Sequence, residues 1–307
     1  MSLSGTDQSV APKRRERGVR KLVHLCKLMI VGSRLPLTRT PADAGLAYED
    51  VVFHAVDGVE LHGWFIPAGP DPAPTVVWVH GWLWNRMGNV SGRVPFPDRD
   101  VDFLPSTKAL HEAGFHVLTF DLANHGESGE RRPLTFGPWE ARDFVGAVTY
   151  LRSRSDVIAH RLGAIGMSAG GNTVLYGAPE AQPLKALLIV QPTKLTVFND
   201  NFARDQLGRF GSIVAKSMDL AYWLLRAPLP SRQNPAIPAR RAGEATVQYV
   251  QGVGDPWGTV AVVEDISAAT PHSLGVIRYP SPPGRYEGYR YVMDDPDAVV
   301  GFFRRYL

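Results

Sequence analysis

The chain has 307 residues, 44% of them apolar and 21% charged, with a formal net charge of +3. That is length enough for a substantial buried core and a composition ordinary for a soluble globular protein. The charge is uneven: residues 1–40 hold nine Lys/Arg against Asp7 and Glu16, a net +7, which leaves the rest of the chain at −4. A mildly acidic body gives no footing for a nucleic-acid-binding fold, so no nucleic-acid partner is expected. With Cys26 as the single cysteine, no intramolecular disulfide can form, which fits a reducing, cytoplasmic setting.

The first dozen residues read as disordered. A basic stretch, Lys13 to Lys21, then leads into Leu22 to Val31. His24 and Lys27 interrupt that apolar run, no small-residue cleavage site follows, and ten residues are too few to span a bilayer. Leu22, Leu25, Cys26 and Met29 share one face of a helix. The expectation is a helix packed on the body or a partner subunit; residues 13–31 are also read as a surface for self-association or weak contact with an anionic membrane.

From residue 47 the pattern turns to strands. Tyr48–Val56 and Val59–Pro67 flank Asp57-Gly58, a hairpin turn signal that makes this pair antiparallel. Strands are expected at Thr75–His80, His116–Leu122, Gly163–Met167, Lys185–Val190, Ala245–Val253 and Leu274–Tyr279, and helices at Pro105–Ala113, Pro138–Ser153 and Asp297–Leu307. This alternation predicts an α/β fold: a mostly parallel sheet with an N-terminal antiparallel hairpin and helices on both faces. Between Pro192 and Glu244 the rhythm breaks for about fifty residues, too long for a plain connection. A helix over Ser212–Arg226 and four prolines after it suggest an inserted helical cap. The division expected is a leader with a short amphipathic helix at 1–44, a core at 45–191 and 245–307, and a cap at 192–244.

The chemistry centres on Gly166-Met167-Ser168-Ala169-Gly170, an apolar strand breaking into Gly-x-Ser-x-Gly before a helix start. Such a turn holds the serine hydroxyl outward at a sheet edge, and its glycines make room for the cramped backbone. Acyl transfer also needs a base, a group to orient it and donors for the oxyanion. The backbone N–H groups of Ala169 and Trp82 are the expected oxyanion donors, and Asp255, at a strand end, is the expected acid. Trp82, Trp84, Trp223 and the leucines of the cap suggest an apolar or aromatic pocket. No cofactor fingerprint or metal-ligand spacing is apparent, so no cofactor and no metal are expected.

These residues together resemble the α/β-hydrolase superfamily over about residues 47–307. The resemblance rests on His80-Gly81 after an apolar strand, Asp121-Leu122-Ala123-Asn124-His125-Gly126-Glu127-Ser128, the serine elbow, and Gly252-Val253-Gly254-Asp255-Pro256, all in the family's order. It implies Ser168 as nucleophile, Asp255 as acid and a general-base histidine between the last strand and the closing helix. That stretch, Pro280 to Tyr289, contains no histidine.

His272 precedes the last strand, at the edge opposite the site, roughly 20 Å away at about 3.3 Å per residue. His116 and His160 fail on the same ground, and His24, His54, His62 and His111 lie in the leader, the hairpin and a helix end. Only His80 and His125 could reach the correct face, as base or as structural groups. Arg285 and Tyr286 occupy the region of the missing histidine. Either Arg285 pairs with Asp255, or it points to solvent while Asp255 caps its own loop. Three functional readings stand: an enzyme acting on an apolar or aromatic carbonyl-containing small molecule (ester, lactone or related acyl compound) with an atypical or absent base; a non-hydrolytic lyase or cyclase; and a ligand- or partner-binding pseudoenzyme.

Overall fold

The computed structural model describes residues 19–307; the basic residues 13–18 and the expected disorder of the first dozen residues lie outside them. The chain begins with helix α1 (Val19–Val31) and the hairpin β1 (Glu49–His54) and β2 (Glu60–Ile66). β3 (Ala73–Val79) follows, then a small ribbon of β4 (Gly88–Asn89) and β5 (Val101–Asp102). Next come α2 (Leu104–Glu112), β6 (His116–Phe120), α3 (Ala141–Ser153), β7 (Val157–Met167), α4 (Ala169–Gly177) and β8 (Ala186–Val190). The long connection holds α5 (Leu195–Leu207), α6 (Gly211–Leu224) and the short α7 (Ala236–Ala239). β9 (Thr246–Gly252), α8 (Val260–Ala269), β10 (Ser273–Tyr279), α9 (Arg285–Gly288), α10 (Tyr291–Asp294) and α11 (Pro296–Tyr306) complete it.

Eight strands form one sheet in the order β1-β2-β6-β3-β7-β8-β9-β10. β1 and β2 run antiparallel, β2 meets β6 antiparallel, and every pairing from β6 to β10 is parallel. At the hairpin, Gly58 takes a φ of +84°, the left-handed conformation that the Asp-Gly turn supplies.

The central strands are apolar on both faces because helices cover both. Val76 and Trp78 of β3, Ile165 and Met167 of β7 and Leu188 of β8 face α1, α2, α5, α6 and α11. Their neighbours Val77, Val79, Ala164, Leu187 and Ile189 face α3, α4, α7 and α8. β10 is the exception, a half-exposed edge strand with a register shift between Ser273 and Val276.

α1 is part of this body. Leu25, Leu28 and Met29 are buried in the first of these two layers, and Leu22, Leu25, Cys26 and Met29 face Phe202, Leu207, Val214 and Met218 of the insertion. The Leu28 carbonyl accepts the Trp82 indole N–H at 3.1 Å, tying the helix to the loop after β3.

Besides the single-turn α7, α9 and α10, two longer helices were not legible in the pattern, α5 and α8. Asn and Asp weaken helix propensity in α5, and β-branched residues do so in α8. Tertiary packing forms α5 nonetheless, burying Leu195, Phe198, Asn199, Phe202 and Ala203 along one face. α8 is capped by Thr259, whose side chain accepts the Val262 N–H. β7 also starts six residues before the expected Gly163, at Val157.

Candidate active site

Parallel strands deliver their loops to one edge of the sheet, and the loops after β3, β7, β8, β9 and β10 meet there. Ser168 follows β7 with φ 55° and ψ −118°, a conformation costly for a residue with a side chain, about 1–3 kcal/mol. Its N–H is anchored to the Val190 carbonyl of β8 at 2.8 Å. The two glycines of the elbow are required by space. A Cβ at Gly170 would lie 2.2 Å from the Val79 carbonyl oxygen, and one at Gly166 would lie 2.7 Å from the Gly171 Cα. Ala169 opens α4, so its N–H has no acceptor within the helix.

The loop after β10 brings Arg285 to this serine. Nη2 of Arg285 donates to Ser168 Oγ at 3.1 Å and to the Gln191 carbonyl at 2.9 Å. Nη1 donates to Asp255 Oδ2 at 2.5 Å, in an ion pair whose side chains are 3% and 0% exposed. Asp255 also accepts the Trp257 N–H through Oδ1 and the Gln251 amide through Oδ2. Burial alone would lower the Arg285 pKa, but the neighbouring Asp255 carboxylate and the Tyr289 and Tyr286 oxygens outweigh it and raise the value. The guanidinium is therefore a fixed cation, with donors and no acceptor.

Gln191 holds this arrangement together. Its Oε1 accepts the Gly252 N–H at 3.2 Å, and its Nε2 donates to the Arg285 carbonyl at 2.8 Å. The loop sits so close that a Cβ at Gly288 would come within 2.1 Å of Gln191 Oε1. Tyr289 follows directly, its hydroxyl beside the Ser168 and Gln191 side chains and its pKa raised by burial, so the phenol stays protonated. Gln191 and Tyr289 carried no motif of their own. The register that places both at the sheet edge exists only once the strands are paired.

The histidines belong elsewhere. His80 accepts the Leu122 N–H through Nε2 at 3.0 Å and donates through Nδ1 to the Gly81 carbonyl at 2.8 Å. His125 accepts the Leu83 N–H through Nε2 at 3.3 Å and donates through Nδ1 to the Ala123 carbonyl at 3.0 Å. Burial lowers their pKa values to about 4 and about 3. Each is neutral with both nitrogens engaged by backbone, which corrects the reading of either as the base: neither has a site left for the serine proton. His272 remains at the far edge, immediately before β10.

Ser168, Arg285 and Tyr289 line a small cavity walled mainly by Trp82, Trp84, Phe136, Phe198, Trp257 and Tyr286. Arg285 Cζ lies 5.4 Å from the centre of the Phe198 ring, within cation–π range. Trp82 and Trp84 are in this wall. Trp223 is not: it is 65% exposed on α6, with Leu220, Leu224 and Leu225 exposed beside it. The wall takes its remaining aromatics from the loop after β6 (Phe136), α5 (Phe198), the loop after β9 (Trp257) and α9 (Tyr286), while the buried side of α6 is used up by Met218 and Tyr222 packing on the body. Among the described residues no group of three or more His, Cys, Asp or Glu is placed to hold a metal ion, and no helix is long and apolar enough to cross a membrane.

The model of the alpha/beta hydrolase family matches residues 76–307, three-quarters of the chain and every loop of this site. The chain belongs to the α/β-hydrolase family. Its scaffold is that of a hydrolase-type enzyme. The uncharacterized protein YfhR of Salmonella typhimurium is 39% identical over 140 residues, 44% of this chain and 41% of that protein. The thiohydrolase aneE of Aspergillus aculeatus is 26% identical over 163 residues, 53% of this chain and 47% of that protein. The chain thus aligns with less than half the length of these curated relatives. Among solved structures, the esterase Pf2001 of Pyrococcus furiosus superposes with a TM-score of 0.65 at 22% identity, over 90% of this chain and 98% of that one. That likeness is one of fold.

Proposed function

We propose that the protein catalyses acyl transfer on an apolar or aromatic carbonyl compound, an ester, thioester or lactone, through Ser168. The observation that carries this reading is the continuous contact from Ser168 Oγ to Arg285 at 3.1 Å and on to Asp255 at 2.5 Å, opening on an aromatic cavity. Arginine stands where the family's histidine is expected, so the site orients the serine and stabilises charge without accepting a proton. In this reading Ser168 Oγ attacks the carbonyl carbon while the Trp82 and Ala169 amides hold the oxyanion, each such donor worth about 3–4 kcal/mol of barrier. The serine proton passes to the leaving oxygen or sulfur, or to a basic atom of the substrate, as the acyl bond breaks. Water then attacks the acyl-serine and returns a proton to Oγ. An activated leaving group suits this route because it needs little help from a base. The name of the thiohydrolase relative makes thioesters the first candidates.

The same set of donors favours a second reading. Arg285 and the protonated Tyr289 both lie against the serine hydroxyl, a setting rich in positive charge and donors that also fits stabilisation of an enolate or alkoxide in a non-hydrolytic reaction. A panel of aryl esters, acyl thioesters and lactones, assayed with the wild type and Ser168→Ala, separates the readings. Turnover falling at least a hundredfold in Ser168→Ala supports acyl transfer. Turnover untouched by Ser168→Ala contradicts it, and rearranged product without hydrolysis supports the second reading.

A further inference from the structure

The exposed face of α6 presents an unusual surface. Phe210 just before the helix, then Ile213, Leu220, Trp223, Leu224 and Leu225, are all exposed, Ile213 at 68% and Trp223 at 65%. Ile213, Leu220 and Leu224 follow one another at helical spacing, so they form one stripe rather than scattered positions. Scattered exposed apolar residues need no explanation, but a continuous stripe of this size does. Among the described residues nothing covers it.

Its charges give the kind of partner. Arg209 and Arg226 stand at the two ends of the stripe and Lys216 within it, all three exposed. The acidic residues nearby are fewer than the basic ones, and each has a partner within the protein. Asp219 accepts the Ser231 N–H, Asp205 accepts the Trp257 indole N–H, and Asp200 pairs with Arg204. α1 lies alongside and adds Lys21, which donates to the Gln206 carbonyl at the end of α5. Large apolar side chains, a tryptophan and flanking Arg/Lys suit the boundary between acyl chains and anionic headgroups. A second copy of the same surface would bring like charges together.

We propose that α6 is a membrane-docking helix that seats the protein on an anionic lipid surface. α5 packs on α6 and supplies Phe198 to the wall of the cavity, so a docked α6 would lie one helix away from the site. The test uses the full chain with vesicles of phosphatidylglycerol and phosphatidylcholine against phosphatidylcholine alone. Trp223 is the exposed one of seven tryptophans, the others being buried or half-buried, so its emission reports the contact. The expected result is sedimentation with anionic vesicles at low salt and a blue shift that Trp223→Phe removes. In Ile213→Asp/Leu224→Asp, with circular dichroism unchanged, binding should fall at least tenfold. Three results would overturn the proposal: no sedimentation with anionic vesicles, binding intact in the double variant, or a dimer in solution that the double variant dissolves.

Discussion

At the scale of single residues, Arg285 decides what this site can do. It occupies the space between nucleophile and acid, and its charge is balanced by Asp255 inside the protein. Removing one partner of such a pair strands the other, which typically costs about 3–5 kcal/mol. Arg285→Met is therefore expected to lower stability by roughly that amount. Arg285→Met/Asp255→Asn should recover part of the loss, as read from urea unfolding in a double-mutant cycle. A loss in the double variant equal to the sum of the Arg285→Met and Asp255→Asn losses would show that the pair is not coupled. His80 and His125 carry a different consequence. Their folded pKa values, about 4 and about 3, lie below the ordinary histidine value. Below about pH 6.5 the unfolded chain binds protons that the folded chain refuses, so stability is full above that pH and falls as the pH drops toward 3. Each histidine contributes a slope of about 1.4 kcal/mol per pH unit across its window. Urea unfolding at pH 7 and pH 5 should show the decline, and His125→Asn should flatten it.

At the scale of elements, the site depends on how tightly three loops approach. Gly288, Gly252 and Gln191 pack backbone against side chain, with no room for a Cβ at Gly288. Gly288→Ala is expected to displace α9, lengthen the contact between Arg285 and Ser168, and reduce kcat far more than it changes the midpoint of unfolding. A fall in both to the same degree would instead mark Gly288 as a purely structural position. The elbow was legible in the sequence because its requirement is local: glycines on each side of a serine after an apolar strand. The hairpin at Asp57-Gly58 and the parallel strands were legible for the same reason. α5 was not, since Asn199, Asp200 and Asn201 obscure its apolar face until the sheet and α6 are there to cover it. Trp223 was misplaced by the same limitation. Periodicity shows that α6 has two apolar faces, and only packing reveals that Met218 and Tyr222 take the inner one.

At the scale of the whole molecule, α1 and the insertion make one side of the body. Leu25 and Met29 are buried against α5, which bounds the cavity, and against α6, and Trp82 is tied to the α1 carbonyl of Leu28. Leu25→Ala is expected to cost about 2–5 kcal/mol and to loosen α5 and α6 in hydrogen exchange before the parallel sheet. Unchanged protection there would separate the leader helix from the site. The sheet itself is that of its family, and what sets this chain apart is a cation where a proton acceptor is expected. The most direct measurement of that claim is the rate at which a fluorophosphonate probe labels Ser168 near neutral pH, in the wild type and in Arg285→His. If Arg285 only positions the serine, the wild type labels slowly and Arg285→His, which restores an imidazole beside Asp255, labels at least tenfold faster. Rapid labelling of the wild type that Arg285→His fails to increase would contradict the account and place the base in another residue.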